Sequence, residues 1–274
     1  METHGNITQK NVVAIIPARL SSERLPGKLL LEVGGKPLIV HTLEAVRRSN
    51  RISQIIVAVD NPTLMNAVSE AGGEAMMTSP SHLSGSDRIA EVASRLAGDA
   101  IIVNVQGDEP LISHLVIDAA VDALIADPSA DIATTCEPIV VAQDVMSPDV
   151  VKVVTDGSDR ALYFSRSPIP YPRDAARLHG SLEAALSADP EICSRFSKHT
   201  GLYVFRKEAL LRFTGLEPTP SETAEKLEQL RALENGFTIR VVEVTESSIG
   251  IDTEADLERF REILRAREAE EAAV

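Results

Sequence analysis

Apolar positions follow two different periods along the first half of the chain. "VVAIIPA" (12–18), "QIIVAVD" (54–60) and "AIIVNVQ" (100–106) are short, continuous and rich in Val and Ile, the pattern of strands buried on both faces. Between them, "PLIVHTLEAVRRS", "PTLMNAVSEAGG" and "SDRIAEVASRLAG" repeat apolar residues at helical spacing. Pro37 and Pro62 stand near helix starts and glycines follow two of the ends, as helix boundaries require. This strand–helix alternation predicts an α/β fold built on a doubly wound, mostly parallel sheet. Ligands of such sheets bind beyond the carboxyl ends of the strands.

The second half is less regular. "VVKVVTD" (150–156) and "RALYFSR" (160–166) read as paired strands around Gly157-Ser158. A Pro-rich, polar stretch from Ser167 to about Ser197 reads as a long loop with one short helix. "HTGLYVFR" is strand-like again, and "SETAEKLEQLRALENG" has the spacing of one amphipathic helix capped by Ser221. "FTIRVVEV" returns as a strand, and a last helix runs from about Thr253 to Glu271. The expected organisation is one domain, 11–274, with an antiparallel insertion at roughly 140–210 and a flexible N-terminus, 1–10.

Composition narrows the classes. The 274 residues are 44% hydrophobic, which suits a single large domain. With 41 acidic and 27 basic residues, the net charge of −14 argues against general nucleic-acid binding. Apolar runs fall short of the ~18 residues that mark a membrane span, and "METHGNITQK" has no apolar h-region. The expectation is a cytoplasmic protein without membrane insertion, in which the Asn6-Ile7-Thr8 glycosylation pattern is fortuitous. Cys136 and Cys193 are too few for a disulfide framework or zinc site.

Against that acidic background, three cations gather just past the first strand, Arg19, Arg24 and Lys28 in "ARLSSERLPGK". The loop is not a Walker loop, since the upstream glycine is missing and Leu29 follows Lys28. It reads either as a triphosphate clamp or as a solvated basic loop. "VNVQGDEPLI" (103–112) ends a strand in an amide and two carboxylates. Mg²⁺ takes one or two carboxylates together with substrate phosphates, so Asp108 is the preferred ligand, whereas Glu109 could equally cap the following helix. In "GIDTEADLERF" (250–260), Asp252 or Thr253 could cap the last helix, or Asp252 could add a second carboxylate to the same ion. Further polar candidates are scattered, in "HLSGSDR" (82–88), "YFSR", "HTGLY" and "LEQLR". Taken alone, His199 could simply occupy a strand's polar face.

Together, "IIPARLSSERLPGK…GGKPLIVH", "HLSGSDR", "VNVQGDEP", "YFSR", "HTGLY", "LEQLRALENG" and "GIDTEADLE" resemble, in order, the 3-deoxy-manno-octulosonate (Kdo) cytidylyltransferase family, from about residue 11 to 264. "VNVQGDEP" and "LEQLRALENG" are its specific parts, while "PAR…LPGK" is shared with broader relatives such as sialic-acid cytidylyltransferases. The resemblance implies a nucleotide-diphospho-sugar transferase fold whose antiparallel insertion serves dimerisation. It also implies a homodimer, dependence on Mg²⁺, and conversion of CTP and Kdo to CMP-Kdo and pyrophosphate for lipopolysaccharide synthesis. A cytidylyltransferase for another acid sugar is the alternative.

Carried over by residue, the resemblance implies that Arg19 and Lys28 hold the CTP phosphates. Pro17, Ala18, Ser84 and Gly85 lie along the cytidine, with Arg88 and Gln106 nearby. Asp108 and Asp252 bind Mg²⁺, and with Arg19 and Lys28 they form the catalytic set. Gln106, Arg166, His199, Tyr203, Glu228 and Gln229 surround the sugar, Arg166 as partner of its acid group. Three positions depart from the family pattern: Glu23, expected to point outward, Ser86 where Thr is common, and Thr200 in place of an aliphatic residue.

Overall fold

The computed structural model describes residues 11–22, 24–246 and 250–272. The expected flexible N-terminus with Asn6, and Glu23, lie outside the described residues. The first strand, β1 (Asn11–Ala18), is followed by a short hairpin, β2 (Glu32–Val33) and β3 (Lys36–Pro37), and by α1 (Leu38–Val46). The alternation continues through β4 (Gln54–Val59), α2 (Pro62–Glu70), β5 (Glu74–Met77), α3 (Gly85–Arg95), β6 (Ala100–Asn104), α4 (His114–Ala126) and β7 (Ile132–Pro138). A short α5 (Ala142–Met146) then leads to the strands β8 (Lys152–Thr155) and β9 (Ala161–Ser165). Beyond them come α6 (Arg173–His179), α7 (Leu182–Ala188) and β10 (Ser197–Arg206). The chain closes with α8 (Lys207–Thr214), α9 (Pro220–Glu225), α10 (Glu228–Glu234), β11 (Ile239–Glu243) and α11 (Glu254–Ala272).

The central sheet has the order β11-β7-β10-β6-β1-β4-β5. β1 pairs in parallel with both β4 and β6, β4 with β5, and β11 with β7, while β10 runs antiparallel between β6 and β7. From β1 the chain winds outward to β4 and β5, then returns to the other side of β1 as β6. That reversal makes β1/β6 the switch point, where helices diverge and leave a crevice at the carboxyl ends. Two apolar clusters cover the sheet's faces, one including Val12, Ala14 and Ile16 of β1 and the other Val13 and Ile15. This division follows from the period-2 alternation of strand side chains.

The three early strands and helices form where apolar spacing places them. Local chemistry sets the boundaries: Asn61 caps α2 with Pro62 in its first turn, and Ser84 and Asp87 form a reciprocal capping box on α3. The β8–β9 pair is antiparallel as expected, and β8 joins the central sheet through β10. Two expectations change. Residues 173–195 are not a loop with one helix but α6, α7 and a 3-10 turn (Pro190–Arg195), folded around Ala185, Leu186, Ile192 and Phe196. The single amphipathic helix over 221–236 is two helices. Thr219, not Ser221, caps the first with Glu222, and Lys226 breaks the run with φ +54°. A strand that the apolar pattern does not mark is "IATTCEP", β7, buried although Thr134 and Thr135 interrupt its apolar run. Thr134 Oγ1 is satisfied internally by donating to the Leu202 carbonyl, 2.6 Å away.

Candidate active site

Three loops converge on the β1/β6 switch point. The loop after β1 is anchored where Leu20 N donates to Asp60 Oδ1 at 3.0 Å. The loop after β6 turns at Gly107, whose carbonyl accepts from Thr42 Oγ1 at 2.9 Å. A Cβ at Gly107 would stand 3.0 Å from the Pro17 carbonyl oxygen and 3.3 Å from Ile39, so the two loops approach this closely only because the residue is glycine. The loop before α11 joins them through Ile251 N, which donates to the Asp108 carbonyl at 2.9 Å.

That last contact sets Asp252 beside Asp108, with Lys28 between them. Lys28 Nζ donates to Asp108 Oδ2, to Asp252 Oδ1 at 2.9 Å and to the Ile251 carbonyl at 3.1 Å. Burial opposes the Lys28 charge, but Asp108 and Asp252 outweigh it and hold the ammonium above its ordinary pKa. Arg24 Nη2 meets the other oxygen of Asp252 at 2.9 Å. The helix-cap reading of Asp252 is resolved here. Thr253 Oγ1 accepts from Asp256 N at 3.2 Å, and Asp256 Oδ2 accepts from Thr253 N at 2.8 Å. This reciprocal box caps α11 and leaves the Asp252 carboxylate to the cations. Likewise, Ser113 caps α4, so Glu109 is not the cap and instead lines the site.

The convergence leaves a cavity of about 600 Å³, walled by Pro17, Arg19, Lys28, Ser84, Gln106 and Asp108 among others. Arg19 is exposed and its guanidinium has no ion-pair partner among the described residues. Gly85 brings the start of α3 against Pro17, where a Cβ would be 3.6 Å from the Pro17 ring. Ala18 is fully buried and outside the wall, so its contribution is packing under the loop. Arg88 lines the cavity but is 4% exposed and already bonded, to Thr78 Oγ1 at 2.6 Å and Asp60 Oδ2 at 3.3 Å. It braces the loop after β1 through Asp60.

A second cavity of about 350 Å³ adjoins the first through Gly85, Gln106 and Glu228. Tyr203, Gln229, Asn104 and Lys226 also line it. The α9–α10 break aims Glu228 here, where it accepts from Ser86 Oγ at 2.7 Å; the departure to Ser thus still supplies a hydroxyl. Burial raises the Glu228 pKa against that hydrogen bond, and burial with Glu228 nearby raises that of Tyr203. His199 lies across β10 in a third hollow of about 240 Å³, shared with Glu109 and Thr200. Its Nε2 is 2.8 Å from Thr134 Oγ1, and burial lowers its pKa to about 4. Thr200 Oγ1 donates to the Thr135 carbonyl at 3.1 Å, so the hydroxyl is accommodated.

Arg166, like Ala18, is an expected site residue that does not line these cavities. Its Nε donates to the Glu225 carbonyl at 2.6 Å and Nη1 to the Pro148 carbonyl at 2.8 Å. It pins α9 to the β8–β9 arm. Conversely, Lys226, Asn104, His82 and the serines Ser21 and Ser22 line the site without having been singled out in the sequence. Lys226 stands two positions before the singled-out Glu228, and its positive φ marks the turn. Among the described residues, no group of three or more His, Cys, Asp and Glu is placed to hold a metal ion. Asp108 and Asp252 form a two-carboxylate set, which suits an ion that completes its shell with water and phosphate. Among them, too, no helix is long and apolar enough to cross a membrane.

Comparison with known proteins shows the family and the fold. Residues 13–244 match the family model described as cytidylyltransferase. A 3-deoxy-manno-octulosonate cytidylyltransferase of Geobacter metallireducens is 49% identical, over 92% of this chain and 97% of its own. One from Geobacter sulfurreducens is 48% identical, over 93% and 100%. A solved CMP:2-keto-3-deoxy-manno-octonic acid synthetase complexed with CTP superposes with a TM-score of 0.84 at 38% identity, over 94% and 100%. A 4-diphosphocytidyl-2C-methyl-D-erythritol synthase from Anaerococcus prevotii, 18% identical with a TM-score of 0.59 over 94% and 99%, shares the fold. The chain belongs to the 3-deoxy-manno-octulosonate cytidylyltransferase family.

Proposed function

We infer that the protein transfers CMP from CTP to the anomeric hydroxyl of Kdo, giving CMP-Kdo and pyrophosphate. The observation that carries this reading is Lys28 seated between Asp108 and Asp252 at the switch point, beside a second cavity large enough for a sugar acid and bordered by Gln106, Tyr203, Glu228 and Gln229. The 600 Å³ cavity is the nucleotide's. Pro17 and the Ser84-Gly85 turn flank its base end, and Arg19, with Arg24 and Lys28, supplies charge for a triphosphate. The 350 Å³ cavity is the sugar's, with Lys226 as the cation in its lining.

The sugar oxygen attacks the α-phosphorus with loss of its proton, while the bond to the bridging oxygen breaks and pyrophosphate leaves. Such a transfer rests on positioning and on stabilising charge in the transition state. Gln106 and Glu228 line both cavities and so stand where the two substrates meet. Lys28, held by Asp108 and Asp252, carries its ammonium at the cavity wall, where it can donate to phosphate oxygens. Asp108 and Asp252 are the residues that would hold Mg²⁺, which when bound neutralises triphosphate charge. The test is pyrophosphate release from CTP, UTP and ATP, each offered Kdo, an amino-substituted Kdo and a sialic acid. CTP with Kdo is expected to turn over fastest; equal turnover of ATP, or preference for a sialic acid, would overturn the assignment.

A further inference from the structure

The cavity assigned to the sugar has a polar floor that the protein alone does not complete. Asn104 ends β6, a strand otherwise built of Ala, Ile and Val, and is only 3% exposed. It pairs with Ile15 of β1 on one side and Tyr203 of β10 on the other, so it lies at the centre of the sheet. Asn104 lines the cavity, and its Oδ1, itself buried from solvent, has no hydrogen-bond partner among the described residues. An unpartnered amide oxygen in a sheet's interior weakens folding, and an aliphatic residue of similar size would avoid that cost. Gln106, two positions on, lines the same cavity, as do Tyr203 and Gln229.

We propose that Asn104 is a further sugar-binding residue, its carboxamide hydrogen-bonding a hydroxyl of the acid sugar at the floor of this cavity. The proposal rests on the assignment of this cavity to the sugar. A hydroxyl both donates and accepts, so it can satisfy whichever end of the carboxamide faces the cavity. An analogue lacking that hydroxyl leaves the amide unpaired in the complex as well, which makes Asn104 a determinant of sugar choice.

The test compares the wild type with Asn104→Leu, varying CTP and Kdo separately in a pyrophosphate-release assay and melting each protein without substrate. The KM for Kdo should rise about tenfold or more, the factor carried by one hydrogen bond of ordinary strength. The KM for CTP should stay within about twofold of wild type, since the lost group lies in the sugar cavity, and the melting temperature should hold or rise. An unchanged KM for Kdo overturns the proposal, as does an equal rise in both KM values with a lower melting temperature, which marks Asn104 as structural. If Asn104→Leu does not fold, Asn104→Ala carries the same test: a sugar-selective rise supports the proposal and a uniform rise overturns it. Turnover of Kdo by the wild type reports separately on the parent reading. Should another sugar acid prove to be the substrate, the comparison is made with it, and the same selective or uniform rise decides.

Discussion

Lys28 shows how one residue can serve two states. Its ammonium neutralises two carboxylates that would otherwise repel each other across the convergence of three loops, and the same charge is available to a triphosphate. His199 illustrates a different residue-scale effect. Burial lowers its pKa from 6.5 to about 4, so between those values the unfolded chain binds a proton that the native protein does not. Stability should therefore fall as pH drops through 6.5, with the loss from this residue complete near pH 4 and reaching at most about 3 kcal/mol. Chemical denaturation from pH 7 to 4 checks this: His199→Gln should lose less stability over that window than the wild type. Identical losses would mean that His199 is not held neutral.

The residues that the sequence made legible were those whose chemistry conflicts with their surroundings. Cations in an acidic chain, and carboxylates ending an apolar strand, stand out without a structure. Asn104 did not, because a polar residue at a strand end looks ordinary until its missing partner is seen. Arg166 was singled out because its charge suits a sugar acid; the structure shows its Nε and Nη1 donating to the carbonyls of Glu225 and Pro148.

At the scale of elements, strongly periodic segments kept their type and shifted by no more than three residues at the ends. The misread ones were those in which tertiary contacts outweigh local pattern. Over 221–236 the apolar spacing is helical throughout, yet Lys226 adopts φ +54° and splits the segment. A left-handed conformation at a non-glycine residue is strained by about 1–3 kcal/mol. Here it turns the chain so that Glu228 and Gln229 face the sugar cavity. Lys226→Gly should relieve that strain and leave the melting temperature unchanged or higher. The KM for Kdo should rise, because the cation in the cavity wall is gone, while Lys226→Arg should keep it closer to wild type. A sugar KM indifferent to Lys226→Gly would leave the acid group to another cation.

For the whole molecule, the sequence of strands and helices determined where to look. The reversal from β5 back to β6 places the loops after β1 and β6 side by side, though 80 residues separate Lys28 from Asp108. The pattern left open whether Asp252, which arrives from the start of α11, 224 residues beyond Lys28, joins the site or caps the helix. Its identification as a site residue depends on Thr253 and Asp256 taking over the cap.

The central claim is that these three residues form the phosphate-handling centre, and Asp252→Asn probes it most directly. The substitution keeps size and removes one negative charge, while the helix cap stays intact. The measurement is the kcat for pyrophosphate release with CTP and Kdo saturating, alongside the melting temperature. The account predicts a fall in kcat of about 10²-fold or more, comparable to loss of a transition-state stabilising group. Because the lost ion pairs are partly exposed, the melting temperature should move by only a few degrees. A kcat close to wild type would contradict the account, reducing Asp252 to a surface partner of Arg24 and Lys28.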